Sequence, residues 1–216
     1  MAVATAFVIL GGSIAPFLAP PVVRFEQDRT NVADLTGFSP SQLDRITGSL
    51  LADLVLWGGD FHIKDTDSPS CRCLTLNLAE QEPMRDVRSV FTGFWVVVLA
   101  SIAVLAVGFG RARELGARAA AWRAVRSGAR GLAIVIAVAG VFAIVAFDAA
   151  FEVFHRLFFS AGSYTFDPEH DRLVQLFPER FWSEISIAVG VVVIVVAILT
   201  AWYAGRRAIR LQPVIG

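Results

Sequence analysis

The sequence predicts an all-α integral membrane protein, four transmembrane helices with a small extracytoplasmic cap, and three observations carry that prediction. Composition is the first: 56% of the 216 residues are hydrophobic and the mean hydropathy is +0.62, above what ordinary soluble domains carry. Distribution is the second. The apolar residues gather into four blocks without Lys or Arg, Ala2 to Val23, Val90 to Phe109, Gly131 to Phe151 and Ile185 to Ala204. Each block, as a helix rising about 1.5 Å per residue, is long enough to cross roughly 30 Å of hydrocarbon. The third is charge asymmetry. The 19 basic and 19 acidic residues cancel overall, but they are segregated along the chain.

The expected organisation follows in chain order: spans at 1–23, 90–109, 131–151 and 185–204, separated by a cap at 24–89, an Arg-rich connector at 110–130, an aromatic loop at 152–184 and a tail at 205–216. The connector holds Arg111, Arg113, Arg118, Arg123, Arg126 and Arg130 against Glu114 alone, and the tail adds Arg206, Arg207 and Arg210 without an acid. Both belong in the cytoplasm by the positive-inside rule. Residues 24–89 carry seven basic and eleven acidic side chains, and residues 152–184 carry three and six, which puts them outside and both termini inside the cell membrane. The first span lacks a basic leader and is interrupted by Pro16, Pro20 and Pro21, so it is expected to be retained rather than cleaved as a signal peptide.

Within the cap, Ser39 followed by Pro40 predicts a helix start, with Ile46, Leu50, Leu51 and Leu54 recurring at helical spacing. Trp57-Gly58-Gly59-Asp60 ends it, and Asp65 to Ser70 is expected to protrude. A short extended piece near Leu74 to Leu78 is expected to pair with the chain around Phe61 and Ile63. Cys71 and Cys73 are two residues apart, a ring too tight for an unstrained bridge, so free or intermolecular thiols are expected.

The chemistry concentrates near the end of the third span. Asp148, Glu152 and His155 follow one another at i, i+4 and i+7, projecting within about 60° of each other on one helical face. Ionisable groups near a bilayer turn toward a bundle interior or a wet cavity. A histidine with a carboxylate one turn away can serve as a general base whose cationic form the carboxylate stabilises. The same three residues would equally serve as caps or as polar ties between helices. Roughly 130 residues outside the spans leave no room for a large soluble catalytic domain, and phosphate-loop, dinucleotide and zinc-ligand motifs are absent from the sequence. No cofactor, no metal and no nucleic acid is expected.

An ordered aromatic string follows: Phe154-His155-Arg156-Leu157-Phe158-Phe159, then Phe166-Asp167-Pro168, then Leu176-Phe177-Pro178-Glu179-Arg180-Phe181-Trp182. Together with Met84-Arg85-Asp86-Val87-Arg88-Ser89-Val90-Phe91 ahead of the second span, it resembles the four-span family of the bacterial lipoprotein intramolecular transacylase. The resemblance implies a membrane acyltransferase acting on diacylated lipoproteins and membrane lipid. It would move the sn-2 acyl chain of a diacylglyceryl-cysteine to that cysteine's own α-amino group. By the same resemblance His155 is the base. Asp86 matches the acid of the motif before the second span, and Glu152 is assigned by helical spacing to orient His155. Arg85, Arg88, Asp148, Phe154, Phe158 and Phe159 complete the expected binding set, the two arginines at the outer surface or on lipid phosphates.

One position departs from the family. Its motif Glu-x-x-His-Met-x-Asp-Val is here Glu80-Gln81-Glu82-Pro83-Met84-Arg85-Asp86-Val87, and Pro83 carries neither an ionisable side chain nor a backbone donor. Proline is expected there as the start of a helix. His62 and His170 lie in the two outer loops but at no motif position. The sequence therefore leaves two classes open, an acyltransferase and a non-catalytic relative that binds lipoprotein or lipid in the same groove. A proton-coupled transporter is a weaker third, because no polar path crosses the spans.

Overall fold

The computed structural model describes residues 1–56, 58–63, 75–146, 149, 152, 153, 156 and 166–211. Among these the chain is helical and contains no strand: α1 (Ala2–Ile14), a 3₁₀ turn (Ala15–Leu18), α2 (Pro20–Arg29), α3 (Val32–Thr36), α4 (Pro40–Val55), α5 (Leu78–Arg111), α6 (Leu115–Val145), α7 (Arg172–Leu176) and α8 (Glu179–Arg210). Leu78–Arg111, Leu115–Ala143 and Glu179–Arg210 are each long and apolar enough to cross a membrane. The α1–α2 pair, bent by 66°, makes a fourth candidate if it counts as one broken span. The bend lies where Pro16, Pro20 and Pro21 withhold backbone donors, and the two later prolines fill the opening positions of α2, where a missing N–H costs nothing.

The helices outrun the apolar blocks. α5 begins at Leu78, so residues 78–89 are helical rather than cap loop; α6 begins at Leu115, within the stretch expected as a connector; and α8 begins at Glu179. Hydrophobic blocks report where a helix meets lipid, whereas backbone hydrogen bonding continues until a cap or breaker stops it. Pro83 is accordingly not a helix start but a buried residue inside α5. The start is set by Asn77: its side-chain oxygen accepts the Glu80 N–H at 3.0 Å, and the Glu80 carboxylate accepts the Asn77 N–H at 2.7 Å. That reciprocal pair is a capping box. Pro83 comes early enough to cost one helical bond, to the Ala79 carbonyl, without stopping the helix.

The chain divides into two compact units. The first comprises residues 1–15, 94–146 and 187–216. Its interior is made of small and branched residues, with Ile9, Ala129, Leu132, Val193, Ala197 and Ala201 buried together. Small side chains let helix backbones approach closely, which is how bundles cohere where lipid removes the hydrophobic drive. Its large side chains point outward: Leu99, Ile134, Val138, Val141 and Ile198 are among the exposed apolar residues, as a lipid-facing surface requires. A Cβ added to Gly128 of α6 would stand 2.0 Å from the Ala2 carbonyl oxygen, and one on Gly108 of α5 would stand 2.8 Å from the Met1 sulfur. These glycines create the space into which the start of α1 packs.

The second unit, residues 16–93 and 147–186, has an interior of the soluble kind. Val32, Leu43, Ile46, Leu50, Phe61, Leu76 and Leu176 are buried together, with Met84, Leu173 and Phe177 packed against them. Each fully buried Leu or Phe contributes about 1.5–3 kcal/mol. α4 begins as its sequence indicates: the Gln42 N–H donates to Ser39 Oγ at 3.3 Å and the Ser39 N–H donates to Gln42 Oε1 at 2.8 Å, and the helix ends at Val55 before the glycines. Among the described residues, one bond joins the segments expected to pair near Phe61 and Ile63, from the Thr75 N–H to the Ile63 carbonyl at 2.7 Å. Leu78, placed in an extended piece by its sequence, is instead the first residue of α5, because the capping box recruits the chain into the helix.

Buried polar side chains tie these elements together. Glu80, 1% exposed, caps α5 through Asn77 and also accepts the Leu173 N–H at the start of α7, at 2.6 Å. Gln27, fully buried, donates to the Leu176 carbonyl at 3.3 Å and accepts from Thr47 at 2.9 Å. Replacing Glu80 with alanine strands two backbone donors and is expected to cost about 2–4 kcal/mol. Glu80→Gln, which keeps one acceptor, is expected to lose about half as much. Thermal unfolding of the detergent-solubilised protein measures both; equal losses for the two variants would refute the double cap.

Candidate functional site

In chain order, the residues assigned to chemistry belong to α5 and to the segment that precedes α7. His155, Asp148, Phe154, Phe158 and Phe159 lie outside the described residues, as do Cys71, Cys73 and the Asp65 to Ser70 stretch. Glu152 is described, helical and exposed, and its carboxylate accepts from Arg156 Nη2 one turn on, at 2.5 Å. Among the described residues the partner of Glu152 is Arg156, a solvent-side pair of the i,i+4 kind worth a few tenths of a kcal/mol, about 0.3–0.5.

On α5, helical spacing divides the motif between two faces. Pro83 and Asp86 fall within about 60° of each other, while Arg85 and Arg88 lie about 140° or more from Pro83. Asp86 is half-buried, and no hydrogen bond or ion pair joins its carboxylate to another described residue. Arg85 and Arg88 converge on Asp60. Arg85 donates from Nε to Oδ1 at 3.0 Å and from Nη2 to Oδ2 at 2.8 Å, a bidentate fork, and Arg88 Nη2 donates to Oδ1 at 3.1 Å. Arg88 also donates to the Gly59 carbonyl at 2.7 Å and lies over the Phe61 ring at 5.1 Å. The two arginines expected at the surface or on lipid phosphates thus fasten the loop after α4 onto α5.

That loop is held from the other side by Asp53. Its Oδ2 accepts the Phe61 N–H at 2.8 Å, with Phe61 fully buried in the left-handed region at φ 60°. Non-glycine residues adopt that conformation only where their surroundings enforce it. A Cβ on Gly59 would stand 2.9 Å from Asp53 Oδ1, so glycine is needed for the loop to pass the carboxylate. Between α4 and the loop lies a cleft of about 450 Å³ whose walls include Gln42, Arg45, Ser49, Asp53, Asp60 and His62.

Asp60 is thereby set apart from an ordinary surface aspartate. The Arg85 guanidinium hydrogen-bonded to it holds its carboxyl below the usual range, and Arg88 adds to the effect. A depressed carboxylate stabilises the fold fully above its ordinary pKa of 3.8, and that contribution disappears as the pH falls through the lower folded value. Asp60→Asn is therefore expected to lower the unfolding temperature at about pH 6 and to lower it less at about pH 3, below the ordinary carboxylate value. An equal difference at both pH values would show that the ion pair is not the cause.

His170 stands at a turn, with Nδ1 2.7 Å from Asp167 Oδ2 and its side chain exposed. Asp167 also accepts the Glu169 N–H at 2.9 Å, and that bond, ahead of the histidine, lowers its pKa. His170 is accordingly a piece of turn architecture. His62 is exposed on the cleft wall. The Phe-Pro-Glu-Arg-Phe-Trp segment builds a corner: Phe177, Phe181 and Trp182 contact one another with centroids 5.3 to 5.9 Å apart. Arg180 and Arg29 grip Glu184 at 2.7 and 2.8 Å, joining the start of α8 to α2. The roles of Asp53, Asp60 and Glu80 are not drawn from the sequence, although Asp60 closes the segment that ends α4 and Glu80 opens the motif ahead of the second span; of the three only Glu80 leaves a local signal for its role, the Asn77-x-x-Glu80 spacing.

A family model described as lipoprotein intramolecular transacylase Lit matches residues 1–182. Among solved structures, the membrane integral lipoprotein intramolecular transacylase Lit from Bacillus cereus aligns with a TM-score of 0.72 at 21% identity, covering 97% of this chain and 92% of that one. Two further structures of the Bacillus cereus protein, in which a histidine is replaced by arginine or by alanine, align with a TM-score of 0.71 at 19% identity. Each covers 97% of this chain, and 89% and 90% of its own. No match exists among curated proteins. The structural likeness establishes a shared fold, that of a helical, multi-pass membrane protein.

Proposed function

We propose, for a chain that belongs to the lipoprotein intramolecular transacylase family, that it moves the sn-2 acyl chain of a diacylglyceryl-cysteine lipoprotein onto the α-amino group of the same cysteine. The observation that carries this reading is the family match over residues 1–182, which takes in the Phe-His, Phe-Asp-Pro and Phe-Pro-Glu-Arg-Phe-Trp motifs. The arginines of residues 110–130 and 205–216 assign both termini to the cytoplasm, and with them an active face in the outer leaflet.

The reaction is an aminolysis within one molecule. The α-ammonium gives up one proton to water, the amine nitrogen attacks the ester carbonyl carbon, and the tetrahedral intermediate loses a second proton from nitrogen to the base; the oxyanion then collapses with loss of the glycerol alkoxide, which takes that second proton and leaves as an alcohol. Holding amine and ester on one substrate makes the attack unimolecular. The protein must then supply a base that can return its proton, a donor to the oxyanion and a place for the acyl chain. His155 takes the first role, receiving the proton from nitrogen and delivering it to the departing oxygen. Arg85 is an unsuitable oxyanion donor, since its fork is already engaged by Asp60. In this reading Asp86, which has no hydrogen bond or ion pair from its carboxylate among the described residues, steadies the cationic states of amine and imidazole.

Pro83 favours a second reading, a relative that binds lipoprotein without acylating it. It occupies the motif histidine's position as a buried residue with neither donor nor base. Mass spectrometry of the N-terminal lipopeptide of a lipoprotein, produced in a host lacking its own N-acylating enzymes, separates the two. Conversion of the free-amine diacylglyceryl form into an N-acyl lyso form supports transfer. Absence of conversion at good expression supports binding alone.

A further inference from the structure

The arginine-rich end of the first unit has no acids to match it. Arg111, Arg113, Arg118, Arg123, Arg126, Arg130, Arg206, Arg207 and Arg210 face a single carboxylate in that stretch, Glu114, and among the described residues none of the nine forms an ion pair. Aromatic rings hold this end together instead. Trp122 of α6 packs against Phe109 of α5 at 4.9 Å and against Tyr203 of α8 at 5.6 Å. Arg207 Nε donates to the Tyr203 hydroxyl at 2.9 Å.

Two of the cations are held at neighbouring positions of α8, Gly205 and Arg206. Arg206 lies over the Trp202 ring at 4.1 Å. The Arg126 side chain crosses from α6 onto the backbone of α8 at Gly205, where a Cβ would stand 3.2 Å from its Nε and 3.3 Å from its Cζ. On α8, Gly205, Trp202 and Arg206 fall within about 100° of one another. A glycine notch and an indole face orient two guanidiniums but satisfy none of their N–H donors with an anion. Along the same flank of α8, toward its middle, run Ile198, Val195 and Val191, at 56, 49 and 55% exposure. An exposed apolar stripe ending at a Trp and two arginines matches an acyl chain joined to a phosphate diester, with the indole at head-group depth.

We infer that Arg126 and Arg206 bind the phosphate of an anionic phospholipid whose acyl chain lies along Val191, Val195 and Ile198. The site stands on unit-internal geometry and is independent of acyl transfer. It differs from the general attraction of a basic surface because it uses two particular arginines held by Gly205 and Trp202. A free phosphate would need the arginines alone.

Native mass spectrometry of the full chain in detergent, titrated with phosphatidylglycerol or phosphatidylcholine, tests the assignment. Phosphatidylglycerol is expected to be retained in preference, and the double variant Arg126→Gln/Arg206→Gln is expected to weaken its retention about tenfold. Arg113→Gln/Arg123→Gln removes the same charge from the same end and is expected to stay within about twofold of the parent. Gly205→Ala, whose methyl group would stand 3.2 Å from Arg126 Nε and require that side chain to give way, provides a route that alters no charge and is expected to weaken retention severalfold. Equal weakening by the two double variants, or no effect of Gly205→Ala in a folded protein, would reduce the site to a diffuse field. Displacement of the lipid by millimolar inorganic phosphate would overturn the lipid assignment in favour of a free-anion site.

Discussion

His155→Ala is expected to abolish formation of the N-acyl lyso form, and Pro83→His to raise it above the parent level, both read in the lipopeptide mass assay. Loss of a general base costs about 10²–10⁴-fold, which takes a slow transacylation below detection. The second half of the prediction follows from where Pro83 sits. It lies inside α5, on the same face as Asp86, and the imidazole of Pro83→His would enter a helix already capped by Asn77 and Glu80. The substitution also restores a backbone donor to the Ala79 carbonyl, so it does not endanger the helix. With a second histidine, one can accept the amine proton while the other donates to the oxyanion or the leaving alkoxide. Four outcomes are distinguishable at matched expression. Activity in the parent that vanishes in His155→Ala establishes a single-histidine route. Activity that appears only in Pro83→His identifies a pocket lacking one catalytic group. Activity in neither moves the reading to binding alone, and activity that survives His155→Ala removes His155 from the base role.

The parts of this molecule that were legible in the sequence are those set by local pattern. Ser39-Pro40 announces α4 because an N-cap and a first-turn proline act over four residues, and the observed bonds to Gln42 agree. The apolar blocks are visible because hydropathy acts through composition; the bend after α1 was not drawn from Pro16, Pro20 and Pro21, although those prolines lie where it occurs. The start of α5 was misjudged because Pro83 is a strong local signal for a helix start, while Asn77-x-x-Glu80 is a weaker one lying a few residues earlier. Asp60 was not legible at all. Its partners Arg85 and Arg88 lie some two dozen residues further along the chain, and whether an arginine meets lipid phosphate or an aspartate is decided by tertiary structure. For Glu152 helical spacing permits both His155 and Arg156; the arginine is its partner among the described residues, and His155 lies outside them.

Close helix approach is the least legible feature of all, and it carries the largest expected effect on stability. Gly128→Ala adds one methyl group at a point 2.0 Å from the Ala2 carbonyl oxygen and 2.7 Å from its carbon. Those atoms are backbone at the start of α1 and cannot rotate away as a side-chain tip would, so α1 must shift along its contact with α6. The shift disturbs the packing of Ile9 against Ala129 and Leu132, which are buried in the same cluster. Overpacking of this kind costs about 3 kcal/mol, and Gly128→Val is expected to prevent accumulation of folded protein. Gly131→Ala, three residues along the same helix with nothing within 4 Å of the added methyl, provides the control. There the gain in helix propensity is unopposed, and stability is expected to rise by about 0.5–1 kcal/mol. Thermal unfolding in detergent reads both. A Gly128→Ala protein that unfolds at the parent's temperature would mean that α1 does not rest on α6 at Gly128. A Gly131→Ala loss equal to that of Gly128→Ala would mean that glycine matters along α6 for flexibility rather than for the space it leaves.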